Sequence, residues 1–141
     1  MNKNKGFSLV ELIVVVAIMA VLVGILAPAY LSYVEKTRRG TDENMAEEVR
    51  HTVEIATADI CVYDEVVNSS SYSLVFVNGQ SIKGKAPSGS KMEEALDDVY
   101  GSKNFDVKSK KYKAKQNYTV SVTSSSSSNT GTALSVTGQW N

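Results

Sequence analysis

The chain has 141 residues, with 15 basic and 15 acidic side chains and no formal net charge. This length allows one small domain plus a membrane segment, and the balanced charge gives no indication of a nucleic-acid partner. Cys61 is the only cysteine and His51 the only histidine, which excludes an internal disulfide and an imidazole-based metal site. A small exported domain of this kind must be held together by apolar packing, by metal or by assembly with copies of itself.

The first predicted element is a helix that can cross a membrane. Residues 12–34 are 23 consecutive positions without a charge, and about 20 apolar residues in a helix span a bilayer core. Lys3 and Lys5 precede this segment, which predicts a cytoplasmic N-terminus and an exported remainder. A secretory signal requires a small-residue cleavage site after a short apolar region. Residues 26–29 form a poor one, so a signal-anchor helix fits better.

Glu11 is the only charged residue in residues 7–34. A carboxylate at the edge of a membrane segment costs free energy, so it is expected to be paired or functional. Neither a secretory signal nor a plain anchor explains it. Its candidate partner is the amino group that a cut between Gly6 and Phe7 would create.

The run Lys5-Gly6-Phe7-Ser8-Leu9-Val10-Glu11-Leu12-Ile13 resembles the start of a type IV prepilin, which carries a class III signal peptide. The resemblance covers residues 3–35. It implies that a prepilin peptidase removes residues 1–6 as a leader, cutting on the cytoplasmic side after Gly6, and that the same enzyme methylates Phe7. Loss of Lys3 and Lys5 would leave 13 basic and 15 acidic residues.

Two pairings are open for Glu11, which lies one helical turn after Phe7, roughly 6 Å along the axis. Glu11 can neutralise its own amino terminus and the amides of the first turn. Alternatively, as the family's assembly implies, it pairs with Phe7 of a neighbouring copy. That pairing would select a neighbour displaced by a fixed rise. The alternative for the whole segment is a single-pass anchor whose Glu11 caps its own helix.

Gly24 and Pro28 predict a weak point in the helix. Proline cannot donate to the carbonyl four residues before it, and here that residue is Gly24, itself a weak helix former. We expect a kink or local unwinding at this pair, either as an ordinary membrane-helix kink or, as the resemblance implies, as partial melting in a filament.

The helix is predicted to continue to about Val62, so that residues 7–34 form its hydrophobic part and residues 35–62 its amphipathic part, with Gly40 as a bend. An apolar stripe at spacings of three and four supports this prediction. Its members are Met45, Val49, Val53, Ala56 and Ile60.

Residues 63–141 are predicted to form a globular head with a small antiparallel sheet. Residues 72–77 read as a strand before an Asn78-Gly79 hairpin turn, with residues 81–83 as the return. Residues 92–100 are predicted to form a short helix. Ser90 is expected to cap its start, and Gly101 to end it. Strands are predicted over residues 112–123 and 133–140, with residues 124–131 as the hairpin tip. The predicted fold class is α+β, a long N-terminal helix packed on the sheet, as in pilins.

Other residues receive structural interpretations. Cys61 is expected to be a buried small apolar group. The six lysines of residues 103–115 are interpreted as solvated protection of an edge strand, with adhesion to an anionic surface as the alternative. Asp97-Asp98 lacks the spaced acidic ligands of a calcium loop. No catalytic constellation, cofactor site or metal site is predicted, so we expect a structural protein rather than an enzyme.

The predicted function is that of a structural subunit of a type IV pilus for adhesion, twitching motility or biofilm formation. Its expected partners are copies of itself in a helical filament, the prepilin peptidase, the cytoplasmic membrane, and the assembly platform and ATPase that the resemblance implies. We expect it first in the membrane and then on the cell surface of a bacterium, and the missing cysteine pair fits a Gram-positive one. The alternatives are a pseudopilin of a type II secretion or DNA-uptake system and a non-assembling membrane-anchored domain.

Overall fold

The computed structural model describes residues 7–69, 72–82, 85–115, 117–127 and 131–141. The chain divides into two compact units after Thr37. The elements in chain order are α1 (Leu9–Ala56), α2 (Ile60–Asn68), β1 (Tyr72–Val77), β2 (Gln80–Ser81), α3 (Lys91–Tyr100), β3 (Asn104–Phe105), α4 (Lys110–Lys113), β4 (Asn117–Ser127) and β5 (Gly131–Trp140).

The first unit contains the apolar part of α1. Every side chain in residues 7–33 is exposed, and the segment is long and apolar enough to cross a membrane by length and composition. The helix is continuous through Gly24 and Pro28. Apolar side chains that find no partners within their own unit require a non-aqueous environment or other copies to cover them.

In the second unit, α1 packs on the sheet along part of the stripe that the sequence predicts. Val49, Val53 and Ala56 are buried on the helix as predicted, whereas Ala46 is buried in place of Met45, which is only partly buried. They lie in one cluster with side chains from β1 and β4. The outer strands β1 and β5 both pair antiparallel with β4 at the centre. The α+β prediction, a long helix on a small antiparallel sheet, is confirmed.

The predicted end of the first helix, near Val62, is wrong. α1 ends at Ala56, and the next helix begins at Ile60. Asp59 is extended, with φ −70° and ψ 132°, and its carboxylate accepts a hydrogen bond from Cys61 N at 2.8 Å. A capping carboxylate of this kind starts a new helix instead of continuing the old one. Because α1 stops before it, Ile60 leaves the apolar stripe and is 74% exposed.

The predicted hairpin at Asn78-Gly79 is also wrong, although a turn does occur there. Gly79 has a φ of +78°, which glycine adopts without strain. The chain then forms β2, which pairs with β3 rather than returning on β1. Gly79 N donates to Phe105 O at 2.8 Å, so β3 receives the chain after the turn. Lys83 of the predicted return lies outside the described residues.

Helix α3 confirms the predicted helix, with Ser90 accepting from Glu93 N and Gly101 at the C-cap. The strand predicted from Tyr112 is wrong over its first residues, because Tyr112 belongs to α4, which Ser109 caps. Strand β4 begins at Asn117 and extends to Ser127. The lysines before it therefore do not lie along an edge strand, and the edge-protection interpretation is wrong. The predicted hairpin tip is wrong over residues 124–127 and at Gly131, which belong to β4 and β5, and residues 128–130 lie outside the described residues.

The buried phenol of Tyr72 is expected to make the fold less stable at alkaline pH. Burial, reinforced by the Glu65 carboxylate, raises the pKa of Tyr72 to about 12 from its ordinary value of 10.0. Between these values the unfolded chain has lost the phenol proton and the folded chain has not. Stability therefore falls as pH rises, by up to about 2 kcal/mol. We expect Tyr72→Phe to reduce this fall, measured as urea unfolding of the detergent-solubilised chain, followed by Trp140 fluorescence, at pH values from about 9 to 12.

The burial of other tyrosines sets the background for this measurement. The pKa values of Tyr100 and Tyr118 are also raised by burial, so Tyr72→Phe should retain part of the alkaline loss. If the variant and the unaltered protein lost stability equally between about pH 10 and 12, Tyr72 would have no part in it.

Candidate functional site at the first turn of helix α1

Glu11 lies in the first turn of α1 and caps that turn. Ser8 N donates to Glu11 Oε2 at 3.1 Å, and Leu12 N donates to Ser8 O at 3.2 Å as the first helical hydrogen bond. A glutamate at the third helical position that reaches back to the amide before the helix forms one half of a capping box. A carboxylate here is also stabilised by the positive end of the helix dipole. In the uncut chain, the Glu11 carboxylate therefore accepts a hydrogen bond from an amide at the start of its own helix.

Phe7 precedes this turn and is 83% exposed. Its peptide nitrogen is one residue before the Ser8 amide that Glu11 binds, so a charged amine at Phe7 would lie beside the position that the carboxylate already occupies. Gly6, the residue before the predicted cut, lies outside the described residues. The arrangement offers a carboxylate, an exposed aromatic ring and a long uncovered apolar helix. It offers binding chemistry, with no nucleophile paired to a base.

Two residues elsewhere differ from what the sequence indicates. Cys61, expected to be buried, is exposed, because Val62 and Val66 take the buried positions of α2. Asp42 lies in the charged run of residues 35–43, which the sequence indicates to be exposed, but it is fully buried. It accepts hydrogen bonds from Lys108 N at 2.9 Å and Ser109 N at 2.8 Å. A signal existed, since Asp42 precedes Ala46 at the spacing of the apolar stripe.

Comparisons with known proteins identify the family. A family model described as the prokaryotic N-terminal methylation motif matches residues 1–27. Prepilin peptidase-dependent protein A of Clostridium perfringens is 31% identical over 102 residues, which is 70% of each chain. The chain belongs to the type IV pilin and pseudopilin family.

Two pilins of Moraxella bovis match a shorter stretch of the chain. Fimbrial protein Q and the type IV major alpha-pilin of Moraxella bovis are each 47% identical over 38 residues, which is 27% of this chain and 24% of theirs. No solved structure matches the chain. The pilins are structural proteins, and the methylation motif, which matches residues 1–27, includes Phe7 and Glu11.

Proposed function

We propose that the chain is a structural subunit of a type IV pilus, which polymerises by helical stacking of the apolar part of α1. The observation that carries the proposal is the uninterrupted exposure of residues 7–33, with Glu11 as their only charge. A bilayer covers such a surface before assembly, and the helices of other copies cover it afterwards. Repeated head-to-tail contacts that do not close produce a fibre.

Processing prepares the site for this assembly. A prepilin peptidase removes residues 1–6 by cutting after Gly6, and Phe7 becomes the methylated N-terminus. The relative from Clostridium perfringens is named for its dependence on this peptidase, and the methylation motif covers the junction. Mono-methylation keeps the positive charge of the new amine. Glu11 then exchanges the Ser8 amide of its own chain for the amine of Phe7 in a neighbour, and water does not compete in an apolar filament core.

The helix around Gly24 and Pro28 is proposed to melt in part when the filament forms. Pro28 provides no amide hydrogen for the carbonyl of Gly24, so this turn of α1 already lacks one hydrogen bond. Local unwinding there would let the filament stretch while the apolar contacts on either side persist. The chain moves from the cytoplasmic membrane to a surface filament through an assembly platform and ATPase. The relative from Clostridium supports the proposed Gram-positive origin.

Shearing tests the proposed function. Filaments sheared from cells are expected to contain this chain as an abundant component, and they should be missing from cells that lack its gene. Immunogold labelling against the head should decorate the filament along its length. If the chain remained in the membrane fraction while substrate secretion failed without it, the chain would be a pseudopilin. If neither filaments nor secretion depended on it, it would be a membrane-anchored domain.

A further inference from the structure

The second unit carries a basic surface at one end of its α1 segment. It consists of the exposed side chains of Arg39, Lys108, Lys111, Lys113 and Lys115. Asp42 holds α4 at this end through the amides of Lys108 and Ser109. The pKa of Tyr112 is raised, mainly by its hydrogen bond with Glu43. The positive charge of Arg39 offsets part of this rise, which places Arg39 near the Tyr112 hydroxyl. Two neighbouring acidic groups are already engaged, Asp42 by two amides and Glu43 by Tyr112, while Lys108 shares a groove with Glu48 and Asp106.

An acidic surface lies at the other end of the same segment, on α3 and the start of α2. Its exposed members are Asp59, Glu94, Asp97 and Asp98. Thr52 of α1 fixes α3 at this end, since its Oγ1 lies 2.9 Å from the hydroxyl of Tyr100. Ala56 of α1 faces this surface and comes 13 residues after Glu43. The two surfaces are thus about 20 Å apart along the helix axis.

The acidic surface contains a groove of about 290 Å³. Asp59, Glu94 and Asp98 line it with carboxylates, while Ala56, Val62 and Ala95 provide an apolar wall. A lysine side chain matches such a groove, because its stem packs on apolar surface and its ammonium remains beside the carboxylates. Lys91 of the same chain also lines the groove, and its Nζ lies 2.8 Å from Glu94 Oε2.

We propose that the basic surface docks on the acidic surface of a second copy of this chain, with a lysine of α4 entering the groove. The proposal rests on the proposed function, because polymerisation repeats one displacement from copy to copy, and a displacement of about 20 Å along the α1 segment of the second unit matches the separation of the two charged surfaces. Such a displacement brings unlike ends together. The contact uses different surfaces on the two copies, so it continues from copy to copy and does not close. Charge complementarity fixes which register is accepted.

Charge reversal at both ends tests the docking in full-length protein in cells. The variant K111E/K113E is expected to reduce the sheared filament yield about tenfold or more, and so is E94K/D98K, because each places like charges in contact. The variant that combines all four substitutions restores opposite charges across the contact. Its filament yield is expected to return to within about threefold of the unaltered protein, since coupled positions are not additive.

A matched control separates pairing from net charge. The variant K111E/K113E/E54K/D64K has the same net charge as the unaltered protein, but its two new lysines replace exposed residues that belong neither to the groove nor to the basic surface. It is expected to stay as deficient as K111E/K113E. A variant that merely unfolds would not be rescued by substitutions on α3, so recovery supports docking whatever the stability of the single-surface variants.

Two results would overturn the docking. One is a normal filament yield for K111E/K113E, and the other is no recovery in the combined variant. If the K111E/K113E filaments form normally but lose binding to phosphatidylglycerol vesicles, the basic surface is an adhesion surface for anionic lipid instead. Absence of filaments from the unaltered protein would instead overturn the proposed function, so the two failures are distinguishable.

Discussion

Glu11→Ala is expected to leave cleavage after Gly6 intact and to reduce incorporation into filaments by about a hundredfold. The alanine leaves the charged amine of a neighbour's Phe7 without a partner inside an apolar core. Removing one member of such a pair costs about 3 kcal/mol or more. The measurement compares the sheared filament fraction with the membrane fraction, with cleavage read from the mass of the membrane-bound chain.

Glu11→Gln is the matched control, because it separates capping from charge pairing. Glutamine keeps a side-chain oxygen that can accept from Ser8 N, the hydrogen bond that Glu11 makes at 3.1 Å, but it carries no charge. If Glu11 only caps its own helix, the glutamine variant should assemble like the unaltered protein. The proposed pairing predicts that it fails nearly as severely as alanine. Normal assembly of the alanine variant would remove Glu11 from assembly altogether.

Asp42→Ala is expected to lower the free energy of unfolding of the second unit by about 3 kcal/mol. The substitution leaves two amides, Lys108 N and Ser109 N, without the acceptor that they now use at 2.9 and 2.8 Å. Each buried donor left without a partner costs about 1–3 kcal/mol. Asp42→Asn should lose less, because one acceptor oxygen remains.

Trp140 reports on this change. It stacks on Tyr112 of α4 at 4.3 Å between ring centroids and is the only tryptophan, so its fluorescence follows α4 during urea unfolding. Glu48→Ala is the control on the same helix, since Glu48 is exposed and its nearest cation, Lys103 Nζ, is 3.9 Å away. It should change stability by less than about 0.5 kcal/mol. Equal losses in the Asp42 and Glu48 variants would show that the buried carboxylate does not stabilise the head.

The sequence predicts those features of the fold that depend on local pattern. The apolar run, the α1 stripe, the Ser90 and Gly101 caps of α3 and the alternation in β4 all follow from neighbours in the chain. The pairing of β2 with β3 does not, because it depends on Gly79 meeting Phe105 across 26 residues. The same holds for the end of α1, where capping by Asp59 competes with an apolar pattern that continues to Ile60.

The candidate site, like the fold, could be predicted from the sequence only where local pattern determines it. A single charge in an apolar run identifies Glu11, and the motif around Gly6 and Phe7 gives it a partner. The balance between capping and intermolecular pairing depends on chemistry that the uncut chain does not contain. The opposed charged surfaces of the head could not be predicted, because α3 and α4 reach opposite ends of the α1 segment of the second unit only through the tertiary fold.

The intact mass of the subunit in filaments sheared from cells tests the central claim most directly. Processing and self-stacking predict a chain that lacks residues 1–6, begins at Phe7 and carries one additional methyl group. A filament subunit that retains Met1 to Gly6 would contradict the account, because no amine would then exist at Phe7 for Glu11 to bind.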